Sequence, residues 1–297
     1  MQYDVSKINP QYHFFVDGVS YIGKPKSGTV MYVSKKVEQL VKNLSSMNSC
    51  LIFAENNVLV PDELKKDNCF VYTDNPQLEY AQFLSIFEKE KNIEDAKKKY
   101  TLVDGGYYLG ENVSIGEHSY IEPGCLIGHD VIIGDRARIL CGSVIKHAVI
   151  GNDFLCNENA VIGANGFTIA EDAQGNRIRI PTLGNIVIGN EVEIGAHDSI
   201  SRGSAGTTVI DNYVKIDALV YIGHDVHICR NAEITAGCIF GGFDEIGEHC
   251  FTGMNSSMRN RIQIGDNSVI GMGAVVTKSI CTQSTVVGNP AKNMKES

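Results

Sequence analysis

The chain has 297 residues, of which 43% are apolar and 21% are charged, a composition typical of a folded globular protein and not of a disordered one. Its formal charge of −9 argues against non-specific nucleic-acid binding, because such proteins are basic. The sequence has no run of 18 apolar residues, so no membrane span is predicted. Residues 1–12 lack the basic start and apolar run of a signal peptide.

The nine cysteines are odd in number, and no two of them form a C-x-x-C pair. Without a secretion signal, this pattern favours reduced thiols in a cytoplasmic protein over a disulfide framework or a zinc site. The sequence therefore predicts no metal.

Residues 1–102 have the pattern of a small α/β domain. The run FFVDGVSYIG predicts a hairpin that turns at Asp17–Gly18. Helices are predicted over residues 34–44 and 75–99, with short strands over 50–53 and 70–72 between them. Pro76 near the start of the second helix and Asn75 or Asp74 before it are typical of a capped helix N-terminus.

Glycine marks a domain boundary near residue 102. Only Gly18, Gly23 and Gly28 of the 30 glycines precede residue 104. The net negative charge also lies entirely after residue 102.

A six-residue repeat runs through residues 103–280. An aliphatic residue recurs every six positions, often followed by glycine, and 26 such hexads can be counted from Val103 to Val276. The fifth position of each hexad is mostly small or branched, as at Cys125, Cys238 and Cys250. A helix, with its 3.6-residue period, cannot produce this spacing, whereas a parallel β-helix uses hexads.

The repeat predicts a mainly β fold in which three hexads make one triangular coil, giving about nine coils. The first and fifth positions of each hexad point inward, and glycine or asparagine turns the corner, where a positive φ is favourable. Two interruptions, at residues 165–187 and 201–209, should leave the coil as loops on the binding side. Residues 281–297 form a separate C-terminal tail.

The hexads identify the coil as a member of the left-handed β-helices of the hexapeptide-repeat acyltransferases. Residues 163–228 resemble the core of the UDP-acylglucosamine N-acyltransferases of lipid A synthesis, in their Gly-Phe loop opening, their Arg-Gly after a strand and their IGHDV block. GTVMYVSKKVEQLV, from Gly28, more weakly resembles that family's nucleotide-binding segment. The resemblance implies a nucleotide-sugar-binding domain over residues 1–102.

Three features depart from that family. Ser201 stands where the family has aspartate, and Arg261 falls near a second family histidine. The helices that help to engage acyl carrier protein in the family are not found in residues 281–297. The tail instead contains VVGNPAK, which resembles CoA-dependent hexapeptide sugar acetyltransferases and implies acyl-CoA as the donor.

His224 is the candidate catalytic base. It lies in the IGHDV block that matches the family's catalytic histidine, and histidine titrates near neutral pH. Asp217 matches a family acid that would fix the imidazole tautomer. Backbone N–H groups of Gly241 and Gly242 are candidates for an oxyanion hole. The same Gly-His-Asp-Val block surrounds His129, so the block alone does not distinguish the two histidines.

The resemblance also assigns binding residues. Tyr32 would stack on a pyrimidine base, and Lys35 and Lys36 would meet a diphosphate, although Lys35 replaces a family asparagine and leaves uracil and thymine both open. Further substrate-side and CoA-binding candidates are Phe167, Arg179, Arg202, Lys278, Asn289, Pro290 and Lys292.

The predicted function is N-acyl transfer from acyl-CoA to a UDP- or dTDP-linked amino sugar, such as a dTDP-4-amino-4,6-dideoxyhexose. One alternative is the lipid A enzyme itself, UDP-3-O-acylglucosamine N-acyltransferase, with acyl carrier protein as donor. A second is a non-catalytic β-helix scaffold. Family members form trimers with sites between neighbours, so we expect a C3 homotrimer.

Overall fold

The computed structural model describes residues 2–290 and 292–294 and divides the chain into two compact units. The first consists of residues 1–97, 167–183 and 204–206, and the second of the remaining residues. The predicted division assigned both loops to the coil, whereas most of the first loop and residues 204–206 of the second group with the N-terminal residues. Among the described residues, no helix is long and apolar enough to cross a membrane.

The first unit contains a parallel sheet of four strands, Gly18–Val19, Thr29–Val33, Leu51–Glu55 and Cys69–Thr73. A separate antiparallel pair joins Tyr3–Asp4 to Phe15–Val16. The predicted hairpin at Asp17–Gly18 is therefore wrong. The strands on either side of this dipeptide pair with other segments, because the chain crosses from one sheet to the other there.

Helices pack on this sheet. The α-helices are Leu64–Asp67 and Pro76–Asp95, and the 3₁₀ helices are Val5–Lys7 and Lys35–Ser46. The Asn75 side chain accepts a hydrogen bond from Leu78 N–H at 3.1 Å, which caps the long helix as predicted. Tyr80, Phe83, Leu84 and Phe87 of that helix are buried.

The loop over residues 165–187 contains an antiparallel hairpin, Ile169–Glu171 with Arg177–Arg179. Ala170 and Ile180 are buried in the same hydrophobic core as the long helix. Gln77 Nε2 also donates to the Ile169 carbonyl at 3.2 Å. This burial is the physical reason why the hairpin groups with the first unit.

The second unit is a coil with three parallel sheets, typical of a left-handed β-helix, and confirms the predicted fold class. We call the sheets faces A, B and C in chain order. Face A consists of Tyr108–Leu109, Leu126–Ile127, Val144–Ile145, Val161–Ala164, Ser199–Ser201, Tyr221–Ile222, Ile239–Phe240, Ser257–Met258 and Val275–Val276, with Thr101–Leu102 antiparallel at its end. Face B consists of Ser114–Ile115, Ile132–Ile133, Ala148–Ile150, Asn185–Ile188, Thr207–Ile210, His227–Ile228, Glu245–Ile246 and Gln263–Ile264. Face C consists of Tyr120–Ile121, Arg138–Ile139, Leu155–Cys156, Glu193–Ile194, Lys215–Ile216, Glu233–Ile234, Phe251–Thr252, Val269–Ile270 and Thr285–Val287, with Lys292–Asn293 antiparallel at its end.

The hexad residues stack inside this coil. Ile121 pairs with Ile139 on the next coil, and buried residues at this position form one continuous core. Cys125, Cys238 and Cys250 are buried at the fifth position, as predicted. The two ends differ from the prediction. Val103 lies in a turn after an antiparallel strand, and the coil continues past residue 280 to the buried Val286.

The corners confirm the prediction of asparagine and, in part, of glycine at positive φ. Asn112 and Gly124 have positive φ as predicted, but so do residues of other types, such as His118 and Asp130. The glycines that follow the hexad aliphatics are needed instead for close approach between coils. A Cβ on Gly116 would lie 2.5 Å from Asp135 N, so no side chain fits there.

Two aspartates occupy the small fifth position and are each 1% exposed, Asp198 and Asp244. Asp198 accepts backbone N–H bonds on both oxygens, from Val220 at 2.8 Å and Gly195 at 2.9 Å. Asp244 accepts from Ile262 N–H at 3.1 Å through Oδ1, while its Oδ2 is buried without a hydrogen-bond partner in the part of the chain that the structure describes. Burial raises the pKa of each carboxyl to about 7.

Asp244 should make the coil less stable as pH rises. In the unfolded chain this carboxyl releases its proton near pH 3.8, whereas in the folded chain it retains the proton up to about pH 7. Between these values the folded state binds more protons, so the free energy of unfolding falls with increasing pH. Asp244→Asn should therefore gain thermal stability relative to the parent chain as pH increases from 4 to 7, measured by calorimetry.

Asp198→Asn is the matched control. The Asp198 carboxyl titrates over the same range, so its replacement should also gain stability relative to the parent as pH rises. The new amide nitrogen would face a backbone N–H where a carboxyl oxygen now accepts one, so Asp198→Asn should be less stable than Asp244→Asn throughout the range. A stability difference between Asp244→Asn and the parent chain that does not change with pH would contradict the assignment.

Candidate active site

The candidate site lies at the corner where face A turns into face B. Ile200, Ile222 and Phe240 pair in sequence on neighbouring coils of face A. Arg202, His224 and Gly242 each follow two residues later, so they occupy the same corner on three successive coils. The coil register therefore assembles residues that are distant in sequence.

His224 is 9% exposed, and its ring is held by the following residue. Its Nδ1 lies 2.9 Å from Asp225 Oδ2. Asp225 is positioned in turn by a hydrogen bond from its backbone N–H to Thr208 Oγ1 at 2.9 Å. A carboxylate at Nδ1 favours the tautomer that carries the proton there, which leaves the lone pair on Nε2.

Asp217 does not take the predicted place beside His224. It is exposed, at the preceding corner between faces C and A, and its Oδ1 accepts the Ala218 N–H at 2.7 Å. The six residues between Asp217 and His224 carry the chain across face A. The carboxylate that contacts the imidazole is Asp225.

Two glycines make room for the His224 ring. A Cβ on Gly242 would lie 2.6 Å from Nε2, and a Cβ on Gly166 would lie 2.8 Å from the Cβ of His224. These distances are shorter than any ordinary carbon contact. The imidazole therefore occupies space that exists only because both positions lack side chains.

The two oxyanion candidates differ. The Gly241 N–H donates to the Met258 carbonyl at 3.2 Å as part of the bonding between coils. The Gly242 N–H takes no part in that ladder among the described residues. Of the two predicted donors, Gly242 is therefore the one whose N–H stays outside the described bonding between coils, and its Cα lies beside His224 Nε2.

An aromatic ring and a cation complete one side of the corner. The ring of Phe243 meets the His224 imidazole edge to face, with 5.1 Å between centroids. The Arg261 guanidinium lies 4.0 Å from the centroid of the same phenyl ring. Arg261, near the place where the resemblance expects a second histidine, thus brings a permanent positive charge to the neighbourhood of His224.

Arg202 lies on the preceding coil and is 6% exposed. Its Nε donates to Asn165 Oδ1 at 3.1 Å, and its backbone N–H donates to the Ala164 carbonyl at 2.9 Å. A buried guanidinium held in this way is suited to an anionic group of a ligand. The adjacent Ser201, which replaces the family aspartate, is also buried.

His129 has the same sequence block but a different environment. Its Nδ1 accepts a hydrogen bond from the Glu111 backbone N–H at 2.8 Å, and its ring lies 4.4 Å from Tyr100. Its Nδ1 therefore serves to cap a neighbouring turn, whereas His224 Nδ1 contacts a carboxylate.

The N-terminal candidates lie in the first unit. Tyr32 is half-buried on strand Thr29–Val33, with its ring 5.2 Å from that of Tyr80. Lys35 Nζ is paired with Glu38 Oε2 at 2.6 Å, whereas Lys36 is exposed. The hairpin carries exposed Phe167, with the Arg179 guanidinium 5.0 Å from its ring centroid.

The C-terminal candidates border one cleft at the end of the coil. Lys278, Pro290 and Lys292 line this cleft of 630 Å³, together with Ser284 and other residues. Asn289 is exposed and is not among the lining residues. Three of the four predicted CoA-binding residues are thus brought together.

Asp225, Phe243 and Asn165 are site residues that the sequence analysis did not select. Asp225 stands inside the IGHDV block, so its adjacency to His224 was a usable signal. Phe243 lies on the coil after that of His224, and Asn165 is the first residue of the loop over residues 165–187. Their proximity depends on the coil register.

Comparison with known proteins supports the repeat assignment. The model of the family described as bacterial transferase hexapeptide (six repeats) matches residues 112–147 and 245–278. The UDP-3-O-acylglucosamine N-acyltransferase of Delftia acidovorans is 40% identical over 131 residues, which are 44% of this chain and 38% of that protein. The protein of the same name from Coxiella burnetii is 41% identical over 133 residues, also 44% and 38%. The matched segment is thus less than half the length of these relatives.

Solved structures show the same fold at lower identity. The UDP-N-acetylglucosamine O-acyltransferase of Moraxella catarrhalis RH4 is 23% identical with a TM-score of 0.57, over 65% of this chain and 74% of that chain. The corresponding UDP-N-acetylglucosamine acyltransferase of Bacteroides fragilis 9343 is 22% identical with a TM-score of 0.59, over 64% and 73%. The hexad coil and the family match show that the chain carries bacterial transferase hexapeptide repeats, and the curated relatives that it resembles are named as acyltransferases.

Proposed function

We propose that this chain is an N-acyltransferase that acylates the amino group of a UDP-linked amino sugar. The observation that carries the proposal is the buried pair of His224 and Asp225 facing Gly242. The names of the relatives, which are about 40% identical, supply the acceptor class.

His224 is suited to accept a proton from the attacking amine. The amine nitrogen forms a bond to the thioester carbonyl carbon, and its proton passes to His224 Nε2. The carbon–sulfur bond then breaks as the carbonyl re-forms, and the departing thiolate takes up the proton from the His224 imidazolium, which restores the neutral base. Asp225 stabilises the imidazolium formed in between, and the Gly242 N–H is the candidate donor to the oxyanion.

The relatives favour one acceptor over the other. Proteins named for UDP-3-O-acylglucosamine match this chain, so an acceptor of that type has better support than a dTDP-4-amino-4,6-dideoxyhexose. The lipid A alternative therefore has better support than the dTDP-linked deoxysugar that was predicted first. The homotrimer that the resemblance implies remains part of the proposal.

The donor is a separate part of the proposal. We infer that acyl-CoA binds in the cleft lined by Lys278 and Lys292, because two cations beside one cleft suit the phosphates of a nucleotide carrier. Acyl carrier protein is the competing donor, and the name of the relatives favours the lipid A reaction as a whole.

Replacement of His224 should test the base. His224→Ala should lower kcat by about 10²–10⁴-fold, the usual contribution of general-base catalysis, with little change in unfolding temperature. His129→Ala is the matched control and should retain full activity. The assay follows thiol release from acyl-CoA, or acylation from acyl carrier protein, with UDP- and dTDP-linked amino sugars.

The outcomes of that assay distinguish the role of His224 as a base from the acyltransferase function as a whole. A loss of only a few fold in His224→Ala would mean that the amine attacks without basic help, and that His224 only positions the sugar. An equal loss in His129→Ala would place the site on another coil. If the parent chain acylates none of the amino sugars with either donor, the proposed function itself is overturned.

Gly242→Ala should have nearly the same effect as removal of the histidine. The new methyl group would occupy the space 2.6 Å from Nε2, so the imidazole must leave its place. We expect a kcat loss within the same 10²–10⁴-fold range, because the ring can no longer reach the amine. In the double variant with His224→Ala, the second substitution should add little, since both act through one ring. Fully additive losses would show that Gly242 acts independently of His224.

Reversal of charge in the C-terminal cleft should test the donor. Lys278→Glu combined with Lys292→Glu should raise KM for acyl-CoA at least tenfold and leave KM for the nucleotide sugar unchanged, because the lysines lie at the donor cleft only. Lys99→Glu, an exposed lysine at the other end of the coil, is the control. An unchanged KM for acyl-CoA, or activity with acyl carrier protein alone, would exclude the cleft as a CoA site.

A further inference from the structure

A second group of reactive side chains lies on face B, apart from the His224 corner. Ile210 pairs with Ile228 on the next coil, so the residues that follow them, Asp211 and Cys229, lie opposite each other. Because side chains alternate along a strand, His227 and Cys229 both point outward on either side of the buried Ile228. One ligand-type side chain thus comes from one coil and two come from the next.

The three side chains converge on one point. His227 Nε2 lies 2.9 Å from Asp211 Oδ2, and Cys229 Sγ lies 3.9 Å from the same nitrogen. The three ligand atoms all lie within 4.8 Å of one another. A tetrahedral zinc ion, with bonds of about 2.0 Å to nitrogen or oxygen and about 2.3 Å to sulfur, holds its ligand atoms roughly 3.3–3.5 Å apart. Shifts of well under 1 Å in the two measured distances would satisfy that geometry.

The surroundings are electronegative and partly enclosed. All three residues are half-buried, which limits competition from water. Burial and, after it, the carboxylates of Asp211, Glu245, Asp266 and Glu248 raise the pKa of the Cys229 thiol to about 12, so a metal ion must displace the thiol proton when it binds. A histidine–aspartate pair explains two of the three groups but not the thiol beside them. A mixed nitrogen, oxygen and sulfur donor set selects borderline-soft divalent metals over magnesium or calcium.

We propose that Asp211, His227 and Cys229 bind a zinc ion that links two neighbouring coils of face B. Three protein ligands leave one coordination position open to water or to another ligand. The sequence alone predicts no metal, because no C-x-x-C spacing is present. The ligands here come from positions that only the coil brings together. The proposal is independent of the acyl-transfer reaction.

Direct metal measurement tests the site. The chain, produced without a polyhistidine tag, is stripped with a chelator and then titrated with Zn²⁺ alone, and the bound metal is counted by mass spectrometry after gel filtration. We expect one zinc per chain and a higher unfolding temperature with bound metal, because the ion binds the folded coil. Substitution by Co²⁺ should produce a thiolate charge-transfer band and the visible bands of a tetrahedral ion.

Variants decide which residues bind the metal. Cys229→Ser should abolish the charge-transfer band and weaken zinc binding by more than the 10–100-fold typical of losing an outer-shell partner. Asp211→Asn and His227→Gln should weaken binding similarly, whereas Cys281→Ser, at an exposed cysteine, should change nothing. Absence of stoichiometric zinc in the parent chain, or retention of zinc by a folded Cys229→Ser variant, would overturn the proposal whatever the acyl-transfer assay shows.

Discussion

The contact between a buried aliphatic side chain and its equivalent one coil further on is the interaction on which the second unit depends. Ile127, Ile145 and Ile162 pair in this way along face A, and the same stacking recurs on the other two faces. This stacking sets the register between coils. Corners that are far apart in sequence are therefore aligned, and a corner can carry functional groups from several coils at once.

The coil could be predicted from sequence because its determinants are local. Each hexad carries its own inward aliphatic and small residue, so the pattern can be read without knowing which strand pairs with which. The hairpin expected at Asp17–Gly18 failed for the opposite reason. That dipeptide is a good turn sequence, but Val19 pairs with Val30 across a parallel sheet, and the pairing overrides the turn preference. Val103 matches the six-residue spacing as an aliphatic residue, but it lies in a turn and not at an inward position of the coil.

The candidate site was predictable in part. The IGHDV block identifies His224, but the same letters surround His129, and only the environment distinguishes the two. Asp217 was chosen by resemblance, whereas the face that separates it from His224 places it at another corner. Gly242 was among the candidates, but two other contacts could not be predicted. Phe243 becomes a neighbour of His224, and Asp211 a neighbour of Cys229, only when one coil stacks on the next. An alignment of the hexads by coil, and not by chain position, would have brought these pairs together.

The order of contacts along the coil has a consequence for motion. Each coil touches only the coil before and the coil after it, so resistance to local opening is passed along the stack and decreases toward a free end. The coil of His224 has ordered neighbours on both sides, whereas the cleft with Lys278 and Lys292 lies where the stack ends. On the proposed function, the base that must be held still lies between two ordered coils, whereas the proposed donor cleft lies at the last described strands, where fewer coils resist local opening.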